Sequence, residues 1–373
     1  MQLTESVKGY LGWFLAIFSI QWFGFSRRLI AWLGTVLLSG YFALYGSAFS
    51  SSRRARVNLI SDLSKRATFI TGCDTGFGKM LALRLHSMGV PVYAGVLNEK
   101  SEGAESLKAE GCKVIQIDIT KDDDVKKAVD FVKKDLGEKK LHAIVNNAGI
   151  AEFGQIEWCS LELFKKVMHV NTFGTIRVTK AFLSLLKLKR GTRVVFTASV
   201  AGRYTLPGFS AYSMSKHALI SFSDALRREM KPFKVSVHTI QPTLYNTPLS
   251  STDFVANSLQ KQWSDSDSEV RKSYGENYFQ TFKTMYIKGI KDLARKNINE
   301  VVEDMVDALL SKEPKISYVP SLFTKFMVHF LTTIPLGLQD IILCKRTIPD
   351  VPPAGLAVRT ATAARGDESE VFV

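Results

Sequence analysis

A tyrosine and a lysine stand four positions apart, Tyr212 and Lys216, in the stretch SAYSMSKHAL. Alanine, methionine and leucine favour a helical backbone, and residues four positions apart lie on the same face of a helix. A tyrosine ordinarily titrates near pH ~10, and a neighbouring cation stabilises the phenolate and lowers its pKa. The spacing therefore predicts a pair that can pass a proton, although the same spacing also occurs by chance on amphipathic helices.

A glycine-rich stretch, TGCDTGFGK, follows a short β-branched run and opens a helix. Gly72, Gly76 and Gly78 permit a tight turn and a close approach of the backbone to a pyrophosphate. The free N–H groups and the dipole of the helix N-terminus bind such a group. A glycine-rich turn without a ligand is the alternative, but the position between a strand and a helix favours a dinucleotide site.

The elements that must hold these groups alternate along the chain. Helices are predicted for MLALRLHSMG and for 102–110, 122–136, 160–188 and 212–230. Six apolar runs predict the strands: RATFITG, VPVYAGV, KVIQIDI, LHAIVNNAG, TRVVFTAS and VSVHTIQP. Alternating strands and helices indicate βαβ units, and so an α/β fold with a doubly wound, mostly parallel sheet.

Further motifs follow in a recognisable order. NNAG occupies positions 146–149, Asn171 lies in the next helix, and Ser199 precedes Tyr212 by thirteen residues. Together with the G-x-x-x-G-x-G spacing, these motifs make the chain similar to the short-chain dehydrogenase/reductase family. The resemblance implies a Rossmann catalytic domain and an NAD(P)-dependent alcohol dehydrogenase.

The resemblance also assigns roles, over Ala67 to about Thr247. Tyr212 would accept the alcohol proton, and Lys216 would lower its pKa and hold the nicotinamide ribose. Ser199 would stabilise charge on the substrate oxygen. Asn171 would keep a water in line with Lys216; its alternative role is to satisfy buried backbone at a helix kink.

NAD(H) is the favoured cofactor, with NADP(H) as the alternative. The second strand ends without an acid, near Asn98, but the anionic Asp74 in the glycine loop would repel a 2′-phosphate. Lys79 and Lys100 are the charges that argue for NADP(H). The predicted cofactor-binding residues are Gly72, Asp74, Gly76, Phe77, Gly78, Asn98, Asp118, Asn147, Ala148, Gly149, Tyr212, Lys216, Pro242 and Thr247.

Two of these positions carry a reservation of their own. Asp118 resembles the family's adenine-contacting acid, but an ordinary helix N-cap is the alternative. After the sixth strand the family has Pro-Gly followed by a threonine. Here Pro242 and Thr247 match, whereas Thr243 replaces the glycine, which affects the expected backbone geometry.

The substrate side resembles the retinol and hydroxysteroid dehydrogenase branch, which also includes a 3-hydroxybutyrate dehydrogenase. A helical insertion over 249–292 could form an apolar lid for a sterol or retinoid. Ordinary core packing is the alternative for its large apolar residues. Those residues are Phe254, Leu259, Trp263, Tyr274, Tyr278, Phe279, Phe282 and Met285. A small-hydroxy-acid dehydrogenase, which would place a cation in the lid, and a non-catalytic membrane-tethered scaffold are the other hypotheses.

The N-terminus contains two apolar runs, 10–25 and 29–49, of which the second is long enough to span a bilayer. Arg53, Arg54 and Arg56 follow and favour a cytosolic catalytic domain, whereas Arg27 and Arg28 complicate the path of the first run. We expect a retained anchor in the endoplasmic reticulum membrane, rather than a cleavable signal peptide. A later apolar stretch, 318–343, is expected on the membrane surface because its prolines argue against a spanning helix.

The predicted organisation is an anchor at 1–56, a catalytic core at 65–248, a lid and membrane-associated part at 249–345, and a disordered tail at 346–373. The net charge of +14 is spread along the 373 residues, with one dense basic cluster, SSRRARVNLISDLSKR, beside the apolar N-terminus, where it favours a membrane surface. The chain has no zinc-finger spacing and no recognition helix, so no nucleic-acid partner is expected. The four cysteines lack metal-ligand spacing, and no metal is predicted. A homodimer is left open.

Overall fold

The computed structural model describes residues 58–356. The predicted anchor and most of the predicted tail lie outside the described residues. Within 58–356, no helix is long and apolar enough to cross a bilayer. The described part of the tail continues beyond the last long helix and brings Ala354 close to Gly275.

One parallel sheet contains every strand of the described range, in the order β3-β2-β1-β4-β5-β6-β7. All six predicted strands are present, and β7 is a short addition at the edge. The strand order reverses between β1 and β4, and ligands bind outside the carboxyl ends of strands at such a switch point. The strands are β1 Arg66–Thr71, β2 Val92–Val96, β3 Lys113–Gln116, β4 Lys140–Asn146, β5 Thr192–Thr197, β6 Val235–Ile240 and β7 Ser317–Tyr318.

Helices connect the strands and cover both faces of the sheet. The first six are α1 Gly76–Ser87, α2 Glu102–Ala109, α3 Asp122–Asp135, α4 Leu161–Met168, α5 Thr175–Lys187 and α6 Ser210–Glu229. The remainder are α7 Thr252–Asp265, α8 Ser268–Tyr274, α9 Glu276–Leu293, α10 Asn299–Leu310, α11 Leu322–Thr333 and α12 Leu336–Thr347. The helix predicted over 160–188 is divided, because a π-helical turn at His169–Gly174 joins α4 to α5.

Two apolar cores separate the sheet from its helices. Leu81 of α1, Leu107 of α2 and Met305 of α10 pack with Ile70 on one face. Phe182 of α5 stacks on Phe69, the neighbour of Ile70 in β1, on the other face. Adjacent strand residues point to opposite faces, so a strand that is apolar at both is covered on both sides. This accounts for the continuous burial of β1.

Side chains from the sheet hold the C-terminal end of α10, whose last carbonyl groups have no partner within the helix. Arg193 of β5 donates to the Ala308 carbonyl at 2.8 Å, and His142 of β4 contacts the Leu309 carbonyl at 2.9 Å. The Ile60 N–H donates to the Leu310 carbonyl at 2.8 Å. The end of α10 and the beginning of the described chain therefore both lie at the amino-terminal edge of the sheet.

Candidate active site

The glycine loop and the NNAG segment fit against each other at the ends of β1 and β4. Gly72 has φ 69°, and a Cβ atom there would lie 2.7 Å from Cα of Ala148. A Cβ at Gly78 would lie 2.2 Å from the Gly72 carbonyl oxygen. Neither position can carry a side chain without displacing backbone. Asn147 adds to the contact because its amide donates to the Gly72 carbonyl at 3.0 Å.

Thr71, which sequence reasoning did not single out, joins these two segments. Its Oγ1 accepts hydrogen bonds from the N–H groups of Asn147 and Ala148, both at 3.0 Å. Thr197 extends the connection, since its hydroxyl donates to Oδ1 of Asn147 at 3.2 Å. Thr71 and Thr197 are the last residues of β1 and β5. Their position at the carboxyl ends of strands is the sequence feature that could have identified them as site residues.

A groove of about 720 Å³ lies outside the carboxyl ends of β1 to β4. Within the described range no side chain caps the first turn of α1, so its N–H groups remain available to an anion. These features fit the pyrophosphate of a dinucleotide. Predicted residues in the lining are Gly72, Asp74, Gly76, Phe77, Asp118, Asn147, Ala148, Gly149 and Thr247. Leu97, Ile117, Thr120 and His169 also line it and were not predicted, whereas Phe254 was predicted as part of the lid.

Asp74 shapes the adenosine end of the groove. Its carboxylate accepts hydrogen bonds from the N–H groups of Leu97, at 3.0 and 3.1 Å, and Asn98, at 3.2 Å. Asn98 is therefore part of the loop that Asp74 orders, and its own side chain accepts from Lys100 N–H at 3.0 Å instead of lining the groove. Gly78 likewise does not line the groove; it packs on Gly72, which does.

Asp118 accepts hydrogen bonds from the N–H and the hydroxyl of Thr120, at 2.9 and 2.7 Å. Helix α3 begins later, at Asp122, with Lys121 as its N-cap residue, so Asp118 is not that helix's N-cap. Despite partial burial, these bonds and Lys121 lower the pKa of Asp118. It remains an anionic acceptor in the groove.

Ser199, Tyr212 and Lys216 meet in an inner cavity of about 140 Å³ beside the groove. The Lys216 ammonium donates to the Thr197 carbonyl at 2.8 Å and lies 5.5 Å from the centroid of the Tyr212 ring. Ser199 donates to the Pro242 carbonyl at 3.3 Å. The helix α6 thus presents both members of the pair on one face, as the spacing predicted.

The expected lowering of the Tyr212 pKa is wrong for the protein without cofactor. Burial raises the pKa of Tyr212 to about 12, and the nearby Ser199 hydroxyl only partly opposes that rise. Burial also lowers the pKa of Lys216 to about 8. Desolvation disfavours the charged form of each group. Sequence spacing does not reveal this balance.

Asn171 lies in the π-helical turn, fully buried behind Gly149. Its Oδ1 accepts from the Ile150 N–H at 2.8 Å. Its amide donates to the Ile150 carbonyl and to the Ser215 hydroxyl, both at 2.9 Å. These bonds match the alternative role, a buried asparagine that satisfies backbone at an irregular helix. The predicted link to a water beside Lys216 stays a prediction.

The replacement of glycine by Thr243 does not strain the backbone. Among the described residues, the non-glycine positions with positive φ are Asp62, Lys234 and Ser321, so Thr243 adopts an ordinary conformation. Thr243, Pro242 and Thr247 all line the inner cavity. The N–H of Thr247 is held by the Ser250 hydroxyl at 3.2 Å, which fixes the turn that leads to α7.

Comparison with known proteins places this geometry in a family. The family profile described as short chain dehydrogenase matches residues 66–257. The chain belongs to the short-chain dehydrogenase family. It is therefore an NAD(P)-dependent oxidoreductase that interconverts a hydroxyl and a carbonyl group.

Three relatives show the range of the family near this chain. Mouse short-chain dehydrogenase/reductase family 9C member 7 is 38% identical over 81% of this chain and 96% of its own length. Rat 17-beta-hydroxysteroid dehydrogenase type 6 is 36% identical over 76% of this chain and 90% of its own. Mouse mitochondrial D-beta-hydroxybutyrate dehydrogenase is 36% identical over 77% and 87%.

The fold is also that of solved enzymes. A short-chain dehydrogenase/reductase from Burkholderia phymatum, in complex with NAD, aligns with a TM-score of 0.60 at 21% identity. The alignment covers 78% of this chain and 99% of that one. This likeness confirms the Rossmann architecture predicted from the alternating strands and helices.

Replacement of Tyr212 by phenylalanine removes the titratable oxygen and keeps the ring. We expect turnover to fall by 10²–10⁴-fold, the typical contribution of general acid/base catalysis, while cofactor binding is retained. Stopped-flow rates and nucleotide fluorescence titration measure the two effects. Tyr204→Phe is the matched control, because Tyr204 is a tyrosine outside both cavities. Near wild-type turnover in Tyr212→Phe would show that the proton leaves by another route.

Replacement of Lys216 by methionine should stabilise the cofactor-free domain while abolishing turnover. The folded pKa of about 8 lies below the ordinary 10.5, so the unfolded chain binds more protons between these values. Wild-type stability should therefore rise with pH from about 8 to 10, and the variant should lack this rise. At pH 7 we expect the variant's free energy of unfolding to be higher by about 2 kcal/mol.

Urea unfolding at pH 7 and near pH 9.5 measures this effect, with the exposed Lys180→Met as control. A Lys216→Met domain that is no more stable than the wild type at pH 7 would contradict a burial cost at this lysine.

Proposed function

We propose that the protein oxidises or reduces a lipophilic alcohol or ketone, a hydroxysteroid or a retinoid, with NAD(H) as its cofactor. The observation that carries the proposal is the lining of the inner cavity. Lys216 is the one charged residue in that lining within the described range, and its ammonium is already bound to the Thr197 carbonyl. A carboxylate substrate would find no free cation there.

Apolar side chains supply the rest of the lining. Phe77, Phe153, Leu244, Tyr245 and Leu249 face the inner cavity, and none of them except Phe77 was predicted from the sequence. Their surfaces suit a ring system or a polyene, because apolar pockets bind by area and use few polar groups for orientation. This favours the hydroxysteroid dehydrogenase over the hydroxybutyrate dehydrogenase as a guide to the substrate.

The aromatic residues of the predicted lid contribute less directly than expected. Among the eight large apolar residues of 249–292, Phe254 reaches the groove. The others pack in a core in which Trp158 contacts Trp263, Phe279 and Phe282 at centroid distances of 5.2, 5.7 and 5.2 Å. Core packing, the alternative interpretation, therefore describes most of this segment. We propose that the packed helices form a rigid wall over the cavity.

The arrangement supports the following roles for the site residues. The bound nicotinamide supplies the hydride acceptor or donor. Tyr212 holds its proton at neutral pH and donates it to a carbonyl oxygen in reduction; oxidation runs in reverse and becomes faster as pH rises. Ser199, which lines the inner cavity with Tyr212, orients the substrate oxygen. Lys216 brings positive charge to the site, and Asn171 holds the π-helical turn behind it.

Cofactor preference rests on the charges at the adenosine end of the groove. Asp74 lines that end, whereas Lys79 and Lys100, the charges that argued for NADP(H), do not line it. The lysine that does line the groove, Lys166, is paired with Glu152 at 3.1 Å. A 2′-phosphate would therefore meet an anion without a neighbouring cation, which supports NAD(H).

We also propose that the enzyme is membrane-associated, with its catalytic domain on the cytosolic side of the endoplasmic reticulum. The predicted anchor lies outside the described residues, so support comes from its sequence and from α11 and α12. These helices expose large apolar side chains, with Phe323 70% and Leu336 74% accessible. Exposure of such an apolar face to water is unfavourable, and a bilayer surface would cover it. Homodimerisation stays a prediction.

A substrate panel tests the proposed function. The full chain in detergent, with NAD, is assayed on a hydroxysteroid, on retinol and on D-3-hydroxybutyrate. We expect kcat/KM for the steroid or the retinoid to exceed that for hydroxybutyrate by about 100-fold, because the apolar cavity leaves a carboxylate unpaired. Preference for hydroxybutyrate would overturn the proposal. Turnover of none of them would also overturn the proposed substrate class.

Replacement of Asp74 by asparagine tests the cofactor preference. Asparagine keeps an oxygen for the N–H groups of Leu97 and Asn98 but removes the negative charge. We expect the ratio of NADP(H) to NAD(H) affinity to rise about tenfold, which is about 1.4 kcal/mol. Fluorescence titration with both nucleotides measures it, and Glu99→Gln, an equal charge change on an exposed neighbour, should leave the ratio unchanged. An unchanged ratio in Asp74→Asn would remove Asp74 from cofactor selection.

A further inference from the structure

The loops that precede the strands are rich in lysine and arginine. Five of these segments, 62–66, 136–140, 187–191, 230–234 and 311–313, carry three carboxylates, Asp62, Glu138 and Glu313. Against these stand ten cations: Lys65, Arg66, Lys139, Lys140, Lys187, Lys189, Arg190, Lys231, Lys234 and Lys312. In the sequence they are separate pairs and triplets, and only Lys65 and Arg66 belong to the basic cluster SSRRARVNLISDLSKR.

The parallel sheet gathers these segments at one edge, because all its strands begin there. Arg66 at the start of β1 is paired with Lys140 at the start of β4. The next two loops are joined as well, since the Gly191 N–H donates to the Lys234 carbonyl at 3.0 Å. Neighbouring strands lie ~4.8 Å apart, so the starts of β1, β4, β5 and β6 span roughly 15 Å.

None of the ten cations forms an ion pair within the described residues, whereas pairs are common elsewhere on the domain. Eight of them are exposed, and Arg66 and Lys140 are half-buried. Burial lowers the pKa of Lys140, and the nearby charges of Arg66 and Lys189 lower it further, while Asp62 opposes them. The edge therefore carries a net positive charge, with ten cations against three carboxylates.

Apolar side chains stand among these cations. Leu188 is 73% accessible and Phe233 is 46% accessible. The Lys187 ammonium lies 4.8 Å from the centroid of the Phe233 ring. Cations beside exposed leucine and phenylalanine match the two layers of a membrane interface, where phosphates bind the charges and the acyl boundary accepts the apolar groups.

The described chain also begins at this edge. Lys312 N–H donates to the Asn58 carbonyl at 2.9 Å, and Leu59 forms a β-bridge with Ser311. The end of α10, which carries Ser311, is held over the starts of β4 and β5 by His142 and Arg193. Directly before Asn58, the sequence has the basic cluster 53–56 and the two apolar runs. Asn58, the first described residue after these sequence features, therefore lies at the basic edge.

We propose that the amino-terminal edge of the sheet is a docking surface for anionic phospholipids. Each lysine or arginine near an anionic membrane contributes ~1 kcal/mol, so several together bind firmly. The groove and the inner cavity lie at the opposite, carboxyl edge and stay free when this edge is occupied. The proposal does not depend on the substrate class, and either can fail alone.

Hydrogen exchange on the full chain tests the proposal, because it reports on the edge itself and not on the anchor. The protein is reconstituted in phosphatidylcholine vesicles with or without about one-third phosphatidylserine. We expect amides of 187–191 and 231–234 to exchange about tenfold more slowly on the anionic vesicles, because bound lipid headgroups hold these loops. The difference should vanish near ~1 M KCl, where the screening length is ~3 Å. Equal exchange on both vesicles would overturn the proposal.

A charge-neutral variant and its matched control sharpen the result. The edge variant is Lys187→Gln, Lys189→Gln, Arg190→Gln and Lys234→Gln. The control removes four exposed charges elsewhere: Lys126→Gln, Lys127→Gln, Lys165→Gln and Lys180→Gln. Both should keep wild-type thermal unfolding and turnover in detergent, and the edge variant alone should lose the lipid-dependent protection. Protection that survives in the edge variant would contradict the proposal. Equal protection by a double-stranded oligonucleotide would also overturn it, in favour of a general polyanion surface.

Discussion

The contact between the carboxyl ends of β1 and β4 is the constraint on which the site depends. Two backbones meet there closely enough that Gly72 can carry no Cβ atom, and Thr71 closes the contact by accepting from two successive N–H groups of the NNAG segment. Asn147 then receives the hydroxyl of Thr197, whose carbonyl receives the ammonium of Lys216. A single chain of hydrogen bonds thus runs from the glycine loop to the base of the catalytic pair across three neighbouring strands.

Burial opposes charge throughout this arrangement. The pKa of Tyr212 is raised and that of Lys216 is lowered because both side chains are removed from water. An ammonium in such a place is retained at a cost in stability, which is typical of groups kept for chemistry and not for folding. The Thr197 carbonyl offsets part of that cost and also fixes the direction of the lysine.

The sequence predicted the fold and the composition of the site well, for a physical reason. Strands buried on both faces are nearly uniform apolar runs, and the residues that do chemistry follow those runs at the carboxyl edge, so both signals are local. The direction of the pKa shifts could not be obtained that way, because desolvation depends on everything packed around the pair. The same holds for Phe153, Leu244 and Tyr245, which reach the inner cavity from separate parts of the chain.

Other properties arise only when distant segments meet. The predicted lid is largely core because Trp158, a residue from a preceding loop, completes an aromatic cluster with it. The grouping of cations at the basic edge cannot be inferred from the linear sequence, because they come from five loops that are separated by whole helices. Asn98 likewise does not line the groove: its N–H donates to Asp74, and its side chain accepts from the Lys100 N–H.

The π-helical turn at His169–Gly174 has a consequence for how this family member can change length. A π-turn holds one residue more than an α-helical turn, and here it lets Asn171 reach Ile150 and Ser215 while α5 keeps Phe182 and Leu186 against the sheet. Loss of one residue from the turn would leave a regular helix, but every residue of α5 would rotate by roughly 100° about the axis. The apolar face of α5 would then no longer face the sheet. The segment therefore tolerates substitution more readily than deletion. The π-helical turn sets the rotation of α5 relative to Asn171, so the position of the asparagine and the packing of α5 change together.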